Sequence, residues 1–68
     1  MARYIIAFGR ISEMEVIDVR DHETALREAT RRSMDEGCLD DELADTTWAE
    51  PYSYQLAADL GLFDGAKP

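Results

Sequence analysis

The stretch Arg3–Arg20, RYIIAFGRISEMEVIDVR, decides the fold. Its first part, Arg3–Arg10 (RYIIAFGR), is dense in β-branched and aromatic residues, the composition of a strand buried on at least one face. Side chains alternate along a strand, so Tyr4, Ile6 and Phe8 share one face and Ile5 and Ala7 the other. Glu13–Arg20 (EMEVIDVR) reads as a second strand, with Ile17 and Val19 on one face. Arg10–Glu13 suits a hairpin loop, with Gly9 as a bulge or bend at its start. Two strands this short need a third element to cover their shared face.

The next segment supplies that cover. Asp21 offers an N-cap, His22–Glu36 is built of helix formers, and Gly37 is placed to end the helix. The inner stripe is Ala25, Leu26, Ala29 and Ser33, with His22 at its edge, and these small side chains let the helix lie close on the sheet. The outer face carries Glu23–Arg27 and Glu28–Arg32, both acid-first pairs one turn apart.

Beyond Gly37 two readings compete. Leu39–Asp45 can form a short helical turn capped by Asp40, followed by Thr46–Glu50 as a short third strand. Alternatively, one helix from Asp40 to Ala49 would align Leu43, Ala44 and Trp48. The turn and strand are preferred. Pro51 then suits the first position of a last helix, with Glu50 near its positive dipole end. Tyr52, Leu56, Ala57 and Leu60 would be its buried stripe, and Gly61 with Leu62 a Schellman stop. Phe63 is expected to fold back on the core, and Asp64–Pro68 to be a frayed tail. The fold class is α+β, a single domain over 1–68: a β-hairpin, a helix, a short strand or turn, and a C-terminal helix (ββα(β)α).

A chain of 68 residues has a small core. Size scaling gives roughly 11,000 Å² of unfolded surface and roughly 4,300 Å² folded, so only about 60% is buried and a dimer would relieve the marginal stability. An apolar content of 46% is that of a globular chain. Cys38 is the only cysteine, which excludes an intrachain disulfide and fits a reducing compartment. The apolar run Tyr4–Phe8 is too short for a signal-peptide core or a membrane span. The expectation is a cytoplasmic protein with no membrane partner, either a monomer or a weak homodimer.

Charge is distributed unevenly along the chain. The six arginines Arg3, Arg10, Arg20, Arg27, Arg31 and Arg32 face six acids within residues 1–34, so that half is neutral. Residues 35–68 carry nine acids against Lys67 alone, which accounts for the whole net charge of −8. From Asp35 to Glu50 there are seven carboxylates and no cation: Asp35, Glu36, Asp40, Asp41, Glu42, Asp45 and Glu50. Such a concentration attracts basic surfaces and costs the compact state through self-repulsion, so it points to a partner rather than to a reaction.

Catalytic chemistry finds little support. His22, the single histidine, is most simply a first-turn helix residue beside its cap. Cys38 follows a helix stop and has no activating base in sequence view. Ser12, Ser33 and Ser53 lie in no nucleophile motif, and the glycines at 9, 37, 61 and 65 make no phosphate loop. A calcium loop fails as well. Starting at Asp35 it puts Gly37 at its third position, and placing Gly37 sixth puts Arg32 first. The chain is expected to be no enzyme, to use no cofactor and to bind no metal. Direct nucleic-acid binding is disfavoured by the net charge of −8.

The acidic segment is either a solubilising face or an imitation of phosphate. Duplex DNA carries one charge per ~1.7 Å of axis. Six carboxylates over Asp35–Asp45 give one per ~2.7 Å if helical and only one per ~6 Å if extended. Mimicry therefore requires a compact segment. Tyr54 is the best exposed aromatic anchor beside the acids, while Trp48 reads as core.

In size, composition, compact α/β order and the acidic cluster from Asp35 through Asp45 to Glu50, the chain resembles the small phage-encoded anti-CRISPR proteins. The likeness is one of general character over the whole chain. It implies a non-catalytic inhibitor occluding a Lys/Arg-lined DNA-binding or PAM-reading groove of a CRISPR surveillance complex in the host bacterium. Similar acidic DNA mimics block restriction enzymes, glycosylases and nucleoid proteins. The partner expected is thus the basic DNA-binding groove of a protein or protein–RNA complex, met by Asp35, Glu36, Asp40, Asp41, Glu42, Asp45, Glu50 and Tyr54. An acidic adaptor or homodimeric structural protein without a nucleic-acid-related target is the alternative.

Overall fold

The computed structural model describes residues 1–62, apart from the side chains of Glu42 and Ala44. Strands β1 (Ala2–Phe8) and β2 (Glu13–Val19) form the expected antiparallel hairpin, with Tyr4 opposite Ile17 and Ile6 opposite Glu15. The turn between them closes with the Ser12 N–H donating to the Gly9 carbonyl at 3.1 Å. Both residues have positive φ, +80° at Gly9 and 54° at Ser12. The positive φ favours glycine at position 9, and a Cβ there would also meet the end of the Glu36 side chain, which would have to shift.

Helix α1 (His22–Asp35) begins as expected: the Asp21 side chain accepts the Thr24 N–H at 2.9 Å. It ends in a Schellman motif, with Gly37 N–H bonded to Met34 O and Cys38 N–H to Ser33 O. Ala25, Ala29 and Ser33 are fully buried against Ile6, Phe8 and Ala49, with Tyr4, Ile17 and Val19 packed around them. Leu26, expected on the inner stripe, is instead 40% exposed. The buried stripe runs through 25, 29 and 33, and Leu26 lies past its edge, on the same flank as Thr30 and Met34.

The segment after Gly37 resolves in favour of the third strand, preceded by a helix rather than a turn. Helix α2 spans Asp40–Thr46, and β3 (Trp48–Pro51) pairs antiparallel with β1 to give the sheet order β2-β1-β3. Ala49 faces α1, whereas Trp48 and Glu50 share the opposite face with Ile5 and Ala7. Trp48 is half-buried there, outside the α1 core.

The last helix corrects the sequence reading. Pro51 closes β3 instead of opening a helix, because the ladder runs past it: the Tyr52 N–H donates to the Arg3 carbonyl at 2.9 Å. By strand alternation the N–H that Pro51 lacks would point away from β1, an edge position that tolerates proline. Helix α3 (Tyr54–Asp59) starts only after Ser53, whose Oγ accepts the Leu56 N–H at 3.0 Å. Glu50 and Tyr52 therefore lie outside it. Tyr52 instead sits half-buried, with the Arg3 guanidinium 5.8 Å from its ring centroid. Ala57 is buried and the expected stop is present, with Gly61 at φ +73° and Leu62 N–H bonded to Ala57 O. Phe63 and the Asp64–Pro68 tail lie outside the described residues. The fold is α+β as expected, a three-stranded antiparallel sheet with helices.

Candidate partner-binding surface

Among the described residues, the ion pairs gather on β1, β2 and α1. Arg3 meets Asp18 at 3.1 Å, Arg20 meets Asp21 at 3.5 Å and Arg27 meets Glu23 at 3.0 Å. Glu28 is a hub, receiving Arg32 at 2.7 Å and Arg31 from the adjacent turn. Arg32 also reaches Glu15 on β2, and its guanidinium lies 5.2 Å from the Phe8 ring centroid. Hydrogen bonds from Arg31 and then Arg32 hold the Glu28 carboxyl at about 2, well below its ordinary 4.5. The bonds that Thr24 gives to Asp21 lower that carboxyl as well.

Two of the eight residues expected to face a partner belong to this matched network or to its helix end. Asp35 accepts from Arg31 at 2.9 Å, which offsets its charge. Glu36 is the C-cap of α1 and lies against Gly9. Residues Asp40, Asp41 and Asp45 stand on α2 and are exposed. Asp41 and Asp45 lie one turn apart on one flank, since residues four apart face the same way. Glu42 is on the same helix. Among the described residues, Asp40, Asp41, Asp45 and Glu50 enter no ion pair. Glu50 is exposed on β3, on the face turned away from α1, and Tyr54 opens α3 at 66% exposure. Asp40, Asp41 and Asp45 thus stand on α2, while Glu50 and Tyr54 stand on β3 and α3.

Helix α2 is electrostatically expensive. Four acids fall within its seven residues and no basic residue occupies its last turn. Asp40 and Asp41 gain from the helix dipole, but the Asp41–Asp45 repulsion costs about 0.2–0.5 kcal/mol. A helix this short has no stability of its own in water. The Gly37 stop breaks the expected helical run over Asp35–Asp45, and the four acids of α2 over ~10 Å of axis give about one charge per 2.6 Å, against ~1.7 Å in duplex DNA. Among the described residues no three His, Cys, Asp or Glu side chains converge to hold a metal ion.

A second feature lies on the exposed flank of α1. Glu23, Leu26, Arg27, Thr30, Arg31 and Met34 line a groove of about 460 Å³, apolar at its floor. Thr30 Oγ1 donates to the Leu26 carbonyl at 2.9 Å and so turns its methyl outward. The groove is built from one helix alone and contains no acid of the unmatched segment.

Sequence reading missed three contacts: Arg32 with Glu15, Arg31 with Asp35, and His22 with the Ala49 carbonyl at 2.8 Å. The Arg31–Asp35 spacing was a legible signal. The other two join residues far apart in the chain. No protein-family model, curated protein or solved structure matches the chain. Among the described residues no helix is long and apolar enough to cross a membrane.

Proposed function

We propose that this chain is a non-catalytic inhibitor that presents its α2–β3 acidic surface to a Lys/Arg-lined nucleic-acid-binding groove, imitating the phosphates of duplex DNA. The observation that carries this reading is the segregation of charge. Five of the six acids of the first half meet an arginine, while among the described residues Asp40, Asp41 and Asp45 of one short helix enter no ion pair. Solubility would be served by acids anywhere on the surface. A concentrated patch that weakens its own helix favours a partner of opposite charge.

The block is stoichiometric: a groove filled by the α2 carboxylates admits no duplex, and no bond is made or broken. Glu50 and the exposed Tyr54 extend the contact, the tyrosine adding a flat amphipathic ring of the kind that anchors interfaces. The target class is a DNA-binding protein or protein–RNA complex in the bacterial cytoplasm. Size, acidity and α/β order make a CRISPR surveillance complex the first to test.

The test is displacement of a short labelled duplex from purified, guide-loaded surveillance complex by the full chain. Expected is release at near-equimolar ratio, with an on-rate that falls steeply as ionic strength rises from roughly 50 to 500 mM. Unchanged duplex binding in excess inhibitor removes this target. A captured partner without a basic groove, binding at a salt-independent rate, establishes the acidic-adaptor reading instead.

A further inference from the structure

The two edges of the sheet are treated differently. In an antiparallel pair, the residues whose N–H and C=O point at the neighbouring strand alternate with residues whose groups point away. The Tyr52 N–H bonds to the Arg3 carbonyl, so Trp48, Glu50 and Tyr52 turn toward β1 and Ala49 and Pro51 turn outward. That outer edge is blunted. His22 Nε2 donates to the Ala49 carbonyl at 2.8 Å, and Pro51 has no N–H to offer.

The same alternation assigns the other edge. On β1, Arg3, Ile5 and Ala7 turn to β3, so Ala2, Tyr4, Ile6 and Phe8 bond to Val19, Ile17, Glu15 and Glu13 of β2. Met14, Val16 and Asp18 therefore direct their backbone groups away from the sheet. Among the described residues no strand pairs with that side of β2. The edge is seven residues long, contains neither proline nor glycine, and shows a regular register without a bulge. Helix α1 packs mainly over β1 and β3 and leaves it open. Val16, at its midpoint, is 38% exposed.

We propose that β2 pairs antiparallel with β2 of a second copy about a two-fold axis at Val16, giving the continuous sheet β3-β1-β2-β2-β1-β3. The sequence is self-complementary in this register. Val16 faces Val16 and Met14 faces Asp18 of the second copy, so the outward-turned residues become hydrogen-bonded pairs, about six main-chain bonds in all. Glu13 faces Val19 and Glu15 faces Ile17 of the second copy, so no two carboxylates lie opposite one another. Centring on Glu15 instead would oppose two glutamates, and centring on Asp18 two aspartates. Only the Val16 axis pairs the strand over its full length. This inference is independent of the inhibitor reading, because β2 and β3 lie at opposite edges of the sheet.

Two measurements on the full chain test it together. In sedimentation velocity the chain self-associates, and more tightly at high salt because each copy carries −8. Val16→Lys, which keeps the hairpin because its side chain is already part-exposed, weakens association about tenfold or more while leaving the circular dichroism spectrum unchanged. Under mild oxidation Val16→Cys cross-links to a dimer, since the paired Cα atoms stand about 5.5 Å apart, within disulfide range. Met14→Cys lags, its two copies lying about 13 Å apart along the strands. The wild-type chain, whose one thiol is the buried Cys38, sets the background. A chain that stays monomeric at high concentration and salt overturns the proposal. So does a Met14→Cys variant that cross-links as fast as Val16→Cys, or a Val16→Lys variant that associates like wild type.

Discussion

Ser33 Oγ accepts the Gly9 N–H at 2.9 Å, joining the middle of the fold to a residue 24 positions earlier. The same oxygen lies 2.6 Å from Thr47 Oγ1. One fully buried hydroxyl thus ties the end of β1, the helix α1 and the entry to β3. In a core whose other helix contacts are alanines, this polar link fixes where α1 lies along the strands.

Replacing Ser33 with Ala should therefore cost more than its size suggests. The Gly9 N–H would lose its partner in the interior, a loss of about 1–3 kcal/mol, and the half-buried Thr47 hydroxyl would keep Thr46 Oγ1 at 3.4 Å. Thermal melts should show a midpoint lower by about 4–8 °C per kcal/mol for a domain of this length. A shift of under about 2 °C would mean that the link carries no stability.

Gly9 itself offers a double-mutant cycle. Gly9→Ala meets both a positive φ of +80° and the Glu36 carboxylate. The backbone part should cost about 1–2 kcal/mol and persist in any background. The collision part should be recovered in Gly9→Ala with Glu36→Ala. Equal destabilisation in both backgrounds would show that Glu36 swings aside freely.

The pH dependence follows from Glu28 and Asp21, whose carboxyls are both held below their ordinary values. The unfolded chain takes up their protons first. The Glu28 stabilisation is thus present above about pH 4.5 and is lost as pH falls toward its folded value of about 2, and the Asp21 contribution is likewise lost on acidification. Glu28 is worth about 1–2 kcal/mol once screening of its partly exposed carboxylate is allowed for. Between pH 7 and 5 the melting temperature should hold, since Glu28 and Asp21 stay ionised in both states. Below pH 4.5 it should fall, and Glu28→Gln should flatten that fall. A midpoint declining steadily from pH 7 to 5 would contradict this account.

Charge reversal separates patterned recognition from net charge. Asp41→Lys with Asp45→Lys should abolish partner binding while leaving the circular dichroism spectrum unchanged, since two lysines one turn apart repel about as the two aspartates did. The matched control must avoid Glu28, because reversing that hub would set a lysine beside Arg31 and Arg32. Glu13→Lys with Glu23→Lys changes the net charge by the same amount and touches only the Arg27 pair, worth about 0.3–0.5 kcal/mol. Equal loss of binding in the two double variants would show that the partner senses total charge, and the mimicry mechanism would fall.

What the sequence alone determined are the features written in neighbouring residues. The hairpin was legible because Tyr4, Ile6 and Phe8 alternate with Ile5 and Ala7. Helix α1 was legible because Asp21 caps it and Gly37 supplies the left-handed stop; Gly61 marks the end of α3 in the same way. The confinement of charge to residues 35–68 needed only counting. Tertiary structure decided the rest, since it depended on partners distant in the chain. Pro51 and Ser53 both suit a helix start locally, and only the Tyr52 bond to Arg3 extends the strand past Pro51 and leaves the start to Ser53. The Arg32 pair with Glu15 likewise depended on where α1 settled on the sheet. Local propensity set which elements form. Long-range hydrogen bonds and ion pairs set where they end and which charges are paired.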